Sequence, residues 1–297
     1  MKMLITGYKG FIGSKMRAYL FKKHGIAYDS DGDLRDYSVA LRETEGMDYV
    51  FHFSCDMGGI GYFSKENYYP PLNNYLIDIN ILRACEQNKV KRIFYPASAC
   101  AYPLYSMETG QPLAEWMLNL PAKPDQMYGW EKLSMIKLMK KSKMDIRIGV
   151  LHTIYGEGQE YKGDKAKFPP QMAFKTLQAI KTNEIEVWGD GYQTRTFLHI
   201  NDAIEKIYEV MITDKYDGEV NIGSDKEVSI REVVKLCCDI LKIKPIISFI
   251  GKKPVGPKRR LCSNEKFNKM YKTREKVDLK TGFTRIINYI KKNEYNG

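Results

Sequence analysis

The first half of the chain alternates short apolar runs with amphipathic stretches. Strand-like runs are KMLIT (2–6), GIAYD (25–29), MDYVFHFS (47–54), VKRIFYPAS (90–98) and MDIRIGVL (144–151). Helix-like stretches lie between them at 10–25, 37–46, 71–88 and about 127–143. Strands that alternate with helices predict parallel βαβ units, and hence an α/β fold with a doubly wound parallel sheet.

The second half is more mixed. It contains a loop-rich segment at 155–170, short strands near 185–188 and 219–222, and helices near 201–213, 229–242 and 279–291. We therefore expect a first domain over 1–155 and a smaller mixed α/β domain over 156–297. The segment near 185–205 is a candidate to return to the first domain.

Composition favours an anionic partner. The chain carries 47 basic and 36 acidic residues, a formal charge of +11, although a lysine-rich solvated surface accounts for much of that excess. Six cysteines without a CxxC pair or metal-ligand spacing indicate reduced thiols and no metal site. No apolar run is long enough for a membrane span, and the start does not read as a signal peptide. We expect a cytoplasmic protein that binds neither membrane nor nucleic acid.

The clearest local motif is ITGYKGFIG, at the first strand–helix junction. Gly7, Gly10 and Gly13 permit a tight turn and let backbone N–H groups approach a pyrophosphate at the helix N-terminus. This placement predicts a dinucleotide site of the Rossmann type, with Phe11 and Ile12 at the start of the helix included. The first domain is then the dinucleotide-binding domain.

Acidic residues follow the second strand, where a carboxylate commonly binds the adenosine ribose. Asp29 and Asp31 are both candidates, and the choice between them stays open. No basic residue immediately follows them to bind a 2′-phosphate, which favours NAD over NADP. Asp33 and Leu34 are expected beside the adenine.

A tyrosine and a lysine share one face of the helix near 127–143. Tyr128 and Lys132 are four residues apart, and an ammonium lowers the pKa of a neighbouring phenol, which makes it a better base for a hydroxyl proton. Ser98 ends the preceding strand and can hydrogen-bond the same oxygen. Tyr128 and Lys132 are also expected to contact the cofactor.

The glycine motif, Ser98 and the Tyr128/Lys132 pair resemble the short-chain dehydrogenase/reductase superfamily in its extended form, which acts on nucleotide sugars. Within it, the chain is most similar to the GDP-mannose 3,5-epimerase family. The motifs that carry this resemblance are CDMGGIGYF (55–63), ASACAYP (97–103), YGEGQEYKGDKAKFPP (155–170) and WGDGYQTRTF (188–197).

The resemblance implies a reaction and its residues. Tyr128 and Ser98 would act during transient oxidation of carbon 4, and Cys100 and Lys167 would be the acid–base pair that inverts carbon 3, carbon 5 or both. It also implies bound NAD, a GDP-hexose or GDP-heptose substrate and a homodimer. The expected substrate-binding residues are Met57, Gly58, Gly59, Ser98, Thr153, Lys167, Trp188, Gln193, Arg195 and Arg260.

One departure bears on the sugar. The family motif R-F-H-N-I-Y-G reads VLHTIYG at 150–156, so that Val150 replaces an arginine and Thr153 replaces an asparagine expected near the substrate phosphates.

Two alternatives remain. One is an NADPH-dependent GDP-4-keto-sugar reductase or bifunctional epimerase/reductase. The other is a non-catalytic NAD- or RNA-binding relative, which the intact Tyr128/Lys132 pair disfavours.

Overall fold

The structure is a computed structural model, and it describes residues 1–63, 68–251, 253 and 255–295. The strands are β1 Met3–Thr6, β2 Tyr28–Asp29, β3 Tyr49–His52, β4 Arg92–Ser98, β5 Asp145–Leu151, β6 Thr153–Tyr155, β7 Glu184–Trp188, β8 Thr194–His199, β9 Val220–Ile222, β10 Glu227–Ser229, β11 Ile246–Ile250 and β12 Arg259–Arg260. The helices are α1 Phe11–His24, α2 Tyr37–Thr44, α3 Ile60–Phe63, α4 Tyr69–Gln87, α5 Gln126–Met139, α6 Phe168–Thr182, α7 Ile200–Ile212, α8 Ile230–Leu241, α9 Glu265–Met270 and α10 Leu279–Tyr295. Single 3-10 turns lie at Ala99–Ala101, Leu104–Met107 and Glu115–Asn119.

The central sheet is parallel, with strand order β2-β1-β3-β4-β5-β9. All four residues of β1 are buried, as expected for a strand covered on both faces. The strand order reverses between β1 and β3, and ligands of such sheets bind at the carboxyl ends beside this point. The predicted doubly wound α/β fold is confirmed.

Late segments complete the first lobe. β9 pairs with β5 through Gly149 and Val220, and α7 packs against α1. The second half also forms a smaller layer in which β8 pairs with β6, β10 and β12, while β7 pairs with β11. The division into domains at 155/156 stays a prediction.

One helix begins inside the segment that the sequence assigned to a loop. Helix α6 starts at Phe168, with Pro169 and Pro170 in its first turn. Proline is tolerated there because the first N–H groups of a helix have no intrahelical acceptor. The prediction was wrong for 168–170, since prolines that begin a helix look like prolines that interrupt one.

Candidate active site

A glycine turn joins β1 to α1. Gly7 has φ +66°, and a Cβ there would lie 2.7 Å from the backbone of Phe53. A Cβ on Gly13 would lie 2.1 Å from the carbonyl oxygen of Gly7, so side chains at these positions would push the strand, turn and helix apart. Gly10 caps the helix, whose first N–H groups face the carboxyl edge of the sheet.

A cleft of about 510 Å³ opens beside this turn. It is lined by Gly7, Gly10, Gly32, Asp33, Leu34, Arg35, Phe53, Ser54, Cys55, Asp56, Asn73, Ile77 and Lys165. A long cleft that combines a glycine turn, a helix N-terminus and a carboxylate has the features that a dinucleotide requires. The chain's own residues therefore fit this cofactor.

Asp29, at the end of β2, and Asp31 and Asp33, which follow it, are placed differently. Asp29 accepts a 2.6 Å hydrogen bond from Arg17, and Asp31 contacts the Tyr8 hydroxyl at 2.6 Å and the Lys9 ammonium at 2.7 Å. Asp33 lines the cleft.

Three further residues that were predicted to bind the cofactor lie around this turn. Leu34 is buried beside Asp33 in the cleft. Phe11 and Ile12 are half-buried and pack on the core below the turn.

A second cavity, of about 560 Å³, continues from the carboxyl ends of β4 and β5 towards the smaller layer. Every residue predicted to bind the substrate lines it: Met57, Gly58, Gly59, Ser98, Thr153, Lys167, Trp188, Gln193, Arg195 and Arg260. Cys100 and Tyr128 line it as well, whereas Lys132 lies behind Tyr128 and is buried.

Ser98 ends β4, and Cys100 lies on the 3-10 turn that follows it. The Ser98 hydroxyl accepts a 3.2 Å hydrogen bond from the backbone N–H of Cys100, which fixes the Ser98 side chain relative to this turn. Helix α5 approaches this turn closely at Gly129, where a Cβ would lie 2.3 Å from the Cys100 carbonyl oxygen. This close approach keeps Tyr128 on the same wall as Cys100.

Tyr128 is buried between Phe63 and Lys132. Its ring stacks on Phe63 with 4.8 Å between centroids, and the Lys132 ammonium lies 5.7 Å from the ring centroid. Burial raises the pKa of Tyr128 above its ordinary value, and Lys132 only partly offsets this effect. Lys132 therefore lowers the pKa of Tyr128, as predicted, but the opposite effect of burial is larger.

Lys167 is the residue before α6, and it lines the cavity. Burial lowers the pKa of its ammonium, while the nearby Cys55 and Cys100 thiols oppose that shift. A lysine with a lowered pKa has a larger neutral fraction and is a better base than an exposed one.

Two arginines converge beside Cys100 on the wall of the cavity. Arg260 pairs with Asp125, and burial together with Arg260 lowers the pKa of Arg195 to about 9. Two adjacent guanidinium groups form a site for an anion that carries more than one charge. Within the described residues, Arg260 Nε and Gln193 Oε1 are buried without a hydrogen-bond partner, so both atoms are available to a ligand.

Sequence reasoning missed several residues of the site. Asp125 positions Arg260, Cys55 lies near Lys167 and Tyr128, and the backbone of Gly256 approaches Arg195. Cys55 stands within a quoted motif, but only the fold brings it to Lys167. Asp78 and Glu131, which contact Lys132, had no local signal.

The parallel sheet, glycine turn and Tyr–Lys pair define a dinucleotide-dependent enzyme of the extended short-chain dehydrogenase/reductase type. Residues 3–223 match the model of the NAD dependent epimerase/dehydratase family, and the chain belongs to that family.

Known relatives agree with this assignment. GDP-mannose 3,5-epimerase from Arabidopsis thaliana is 34% identical, over 89% of this chain and 75% of its own. GDP-L-fucose synthase 1 from the same plant is 27% identical, over 99% and 94%. The structure of a UDP-N-acetylglucosamine 4-epimerase from Methanobrevibacter ruminantium has a TM-score of 0.86, with 18% identity and 98% of both chains covered. The predictions of the family, of NAD and of a nucleotide-sugar epimerase are confirmed at this level.

Proposed function

We propose that the protein epimerises a GDP-linked hexose or heptose at carbon 3, carbon 5 or both, through a transient 4-keto sugar. The observation that carries this proposal is the cavity shared by Tyr128, Ser98, Cys100 and Lys167. It combines an alcohol-oxidation pair with two further proton-transfer groups.

The part of the cavity that carries the two arginines suits a nucleoside diphosphate. Arg195 and Arg260 supply guanidinium groups for phosphate oxygens, and the unpaired Arg260 Nε is a ready donor. Gln193 and Trp188 line the neighbouring wall, and Thr153 supplies a hydroxyl where the family motif has an asparagine. In this orientation the sugar reaches Cys100 and Lys167.

The first chemical task is to remove the carbon 4 hydroxyl proton. Tyr128, as the phenolate, would accept it, and Ser98 would hydrogen-bond the same oxygen. Gly7, Gly10, Gly13 and Asp33 would hold NAD, which would supply a reversible hydride acceptor for carbon 4. Lys132 would lower the pKa of Tyr128 against the effect of burial.

The second task is inversion at a neighbouring carbon. A carbonyl at carbon 4 makes the hydrogens on carbons 3 and 5 acidic. Inversion requires one group to remove a proton from one face and another group to deliver a proton to the opposite face. We assign these roles to Cys100 and Lys167. Burial lowers the pKa of Lys167 and so favours its neutral form.

A feature of the cleft supports NAD over NADP. Arg35 lies beside Asp33, but its Nε and Nη2 atoms donate to the Asp33 carboxylate at 2.6 to 3.1 Å. The carboxylate neutralises the guanidinium that a 2′-phosphate would need, and its oxygens can accept from ribose hydroxyls. We therefore propose Asp33, rather than Asp29 or Asp31, as the ribose-binding acid.

A GDP-4-keto-sugar reductase is the second candidate, and the similarity to GDP-L-fucose synthase 1 favours it. Such an enzyme consumes NADPH, whereas the epimerase that we propose turns over without net oxidation or reduction.

We also propose a homodimer. The outward faces of α4 and α5 carry apolar side chains, including Leu72, Leu76 and Trp130, each more than 40% exposed. The two helices lie side by side, with Tyr75 and Ser134 hydroxyls 2.6 Å apart, and could pack on the same pair of a second copy.

We propose a cytoplasmic location as well, because all six cysteines are free thiols. None of the described helices is long and apolar enough to cross a membrane.

The test is incubation with GDP-mannose and with GDP-manno-heptose in D₂O, without added NAD(P)H. We expect deuterium at carbon 3 or carbon 5, detected by NMR and mass spectrometry. Absence of exchange with every GDP-sugar tried would contradict the proposal. Strict dependence on NADPH would instead support the reductase.

A further inference from the structure

A buried polar cluster lies directly behind Tyr128. It consists of His52 from β3, Asp78 from α4, Tyr95 from β4, and Glu131 and Lys132 from α5. None of these side chains is more than 3% exposed. We call it the carboxyl cluster, because it contains two carboxyl groups and one ammonium.

Asp78 is the ionised member of the carboxyl cluster. Its carboxylate accepts hydrogen bonds from His52 Nε2 at 3.0 Å, the Tyr95 hydroxyl at 2.9 Å and the Lys132 ammonium at 3.3 Å. Burial alone would raise the pKa of Asp78, but Lys132 and His52 outweigh it and lower the pKa.

The neighbouring threonine fixes the tautomer of His52. The Thr6 hydroxyl accepts from the backbone N–H groups of Phe53 and Ser54, so its own hydrogen is directed to His52 Nδ1 at 2.7 Å. His52 Nδ1 is then an acceptor, and Nε2 carries the hydrogen that is donated to Asp78. His52 is therefore neutral and adds no charge to the cluster.

Glu131 is the second carboxyl group. Its Oε1 lies 3.0 Å from Lys132 Nζ, its Oε2 accepts from Asn74 at 3.5 Å, and the group lies within hydrogen-bond reach of Asp78. One ammonium balances one carboxylate, and a second buried negative charge would be uncompensated. Burial, opposed by Lys132 and reinforced by Asp78, raises the pKa of Glu131 to about 8.

We propose that Glu131 is a positioning residue of the oxidation step: as a neutral carboxylic acid it donates a hydrogen bond to Asp78, so that the Lys132 ammonium and a single carboxylate stand behind Tyr128. The inference rests on the proposed function, because it concerns the ionisation of the tyrosine that accepts the hydroxyl proton. Loss of the Glu131 proton adds a negative charge behind Tyr128, which opposes formation of the phenolate.

The sign of the pH dependence follows from the groups around Glu131. These are Lys132 and Tyr128 on its own helix, Asp78 and Asn74 on α4, Tyr95 on β4, His52 on β3 and Cys55 on the loop after β3. Lys132 is the only cation among them, and Asp78 already contacts it. Above about pH 8 the phenolate fraction of Tyr128, and with it the oxidation rate, should therefore rise less steeply with pH than it would if residue 131 stayed neutral.

The first measurement needs no substrate. Infrared spectra of the NAD-bound protein, with isotope-labelled glutamate to identify the residue, should show a protonated carboxyl band that disappears as pH rises through about 8. The band should be absent from Glu131→Gln and retained in Glu219→Gln. Glu219 is a matched control because it is also buried and contacts a lysine, Lys140 at 2.9 Å, outside the site. A wild-type protein without such a glutamate band at neutral pH would overturn the proposal, even if no GDP-sugar is turned over.

The second measurement is the pH profile of carbon 4 oxidation, followed by the absorbance of reduced NAD. Glu131→Gln keeps a neutral hydrogen-bond donor towards Asp78. It should match the wild-type rate at neutral pH and exceed it at alkaline pH by about tenfold, the effect of a one-unit difference in the pKa of Tyr128. Equal rates of wild type and Glu131→Gln across the pH range would contradict the assignment.

Discussion

At the residue scale, the site combines two groups whose pKa values are shifted in opposite directions by their surroundings. Burial raises the pKa of Tyr128 and lowers that of Lys167, and both shifts favour the neutral forms. Tyr128 therefore depends on the charges behind it to become a base, whereas Lys167 gains basic capacity from burial itself. The carboxyl cluster controls the first of these groups.

The partly buried Lys167 ammonium should reduce stability, and Lys167→Met should remove that cost. Because the folded-state pKa is below the ordinary value of 10.5, the cost is fully present below the folded-state pKa and disappears as pH rises towards 10.5. The stability advantage of Lys167→Met over wild type should therefore be largest at neutral pH and shrink at alkaline pH. Urea unfolding over this pH range measures it.

Lys162→Met is the control, since Lys162 is half-exposed and pairs with Glu294 at 2.7 Å. It should show no such trend. An advantage of Lys167→Met that grows with pH would contradict the assigned shift.

At the element scale, α5 brings the oxidation pair and the turn after β4 onto one wall. The contact depends on Gly129, where a Cβ would lie 2.3 Å from the Cys100 carbonyl oxygen and 3.0 Å from Pro124. Neither neighbour is the flexible end of a side chain. A larger residue must therefore displace the helix or the turn.

Gly129→Ala should reduce the rate of carbon 4 oxidation by about 10²-fold, because a displacement of about 1 Å disturbs the alignment of reacting groups. NAD affinity should change little, since the glycine turn lies elsewhere. Stopped-flow absorbance and cofactor titration measure the two quantities. Gly251→Ala is the control, because a Cβ at Gly251 meets nothing within 4 Å. Equal loss in both variants would argue against the close contact.

The sequence predicted elements whose signal is local. The apolar runs of β1, β3, β4 and β5 and the glycine turn are read from adjacent residues, and they lie where they were expected. Helix α6 was missed because its first turn contains two prolines. The pairing of Asp78 with Glu131 and Lys132 could not be predicted either, since it joins two helices through a contact that only the packed sheet creates.

At the scale of the whole molecule, the cleft beside the glycine turn and the cavity that holds Cys100 and Lys167 both lie at the carboxyl edge of one sheet, while α4 and α5 turn an apolar face outwards. The family and the residues that line the cavity could be predicted from several motifs that follow one another in a fixed order along the chain. The identity of the sugar was not, because Val150 and Thr153 depart from the motif that the family shares.

Leu76→Arg should convert the proposed homodimer to a monomer, because it places a charge within the apolar face of α4 and α5, where Leu76 is 42% exposed. Light scattering after gel filtration gives the mass. Ile180→Arg, at an exposed apolar position on α6, should leave the mass unchanged. A wild-type protein that is monomeric at all concentrations would contradict the dimer.

The central claim is that oxidation and inversion use different residues of one cavity, and Cys100→Ala tests it most directly. With a GDP-sugar that the wild type epimerises in D₂O, the variant should still form reduced NAD transiently. Its incorporation of deuterium and its inversion at the carbon that Cys100 serves should fall by about 10²- to 10⁴-fold. Inversion at the wild-type rate in Cys100→Ala would contradict the account.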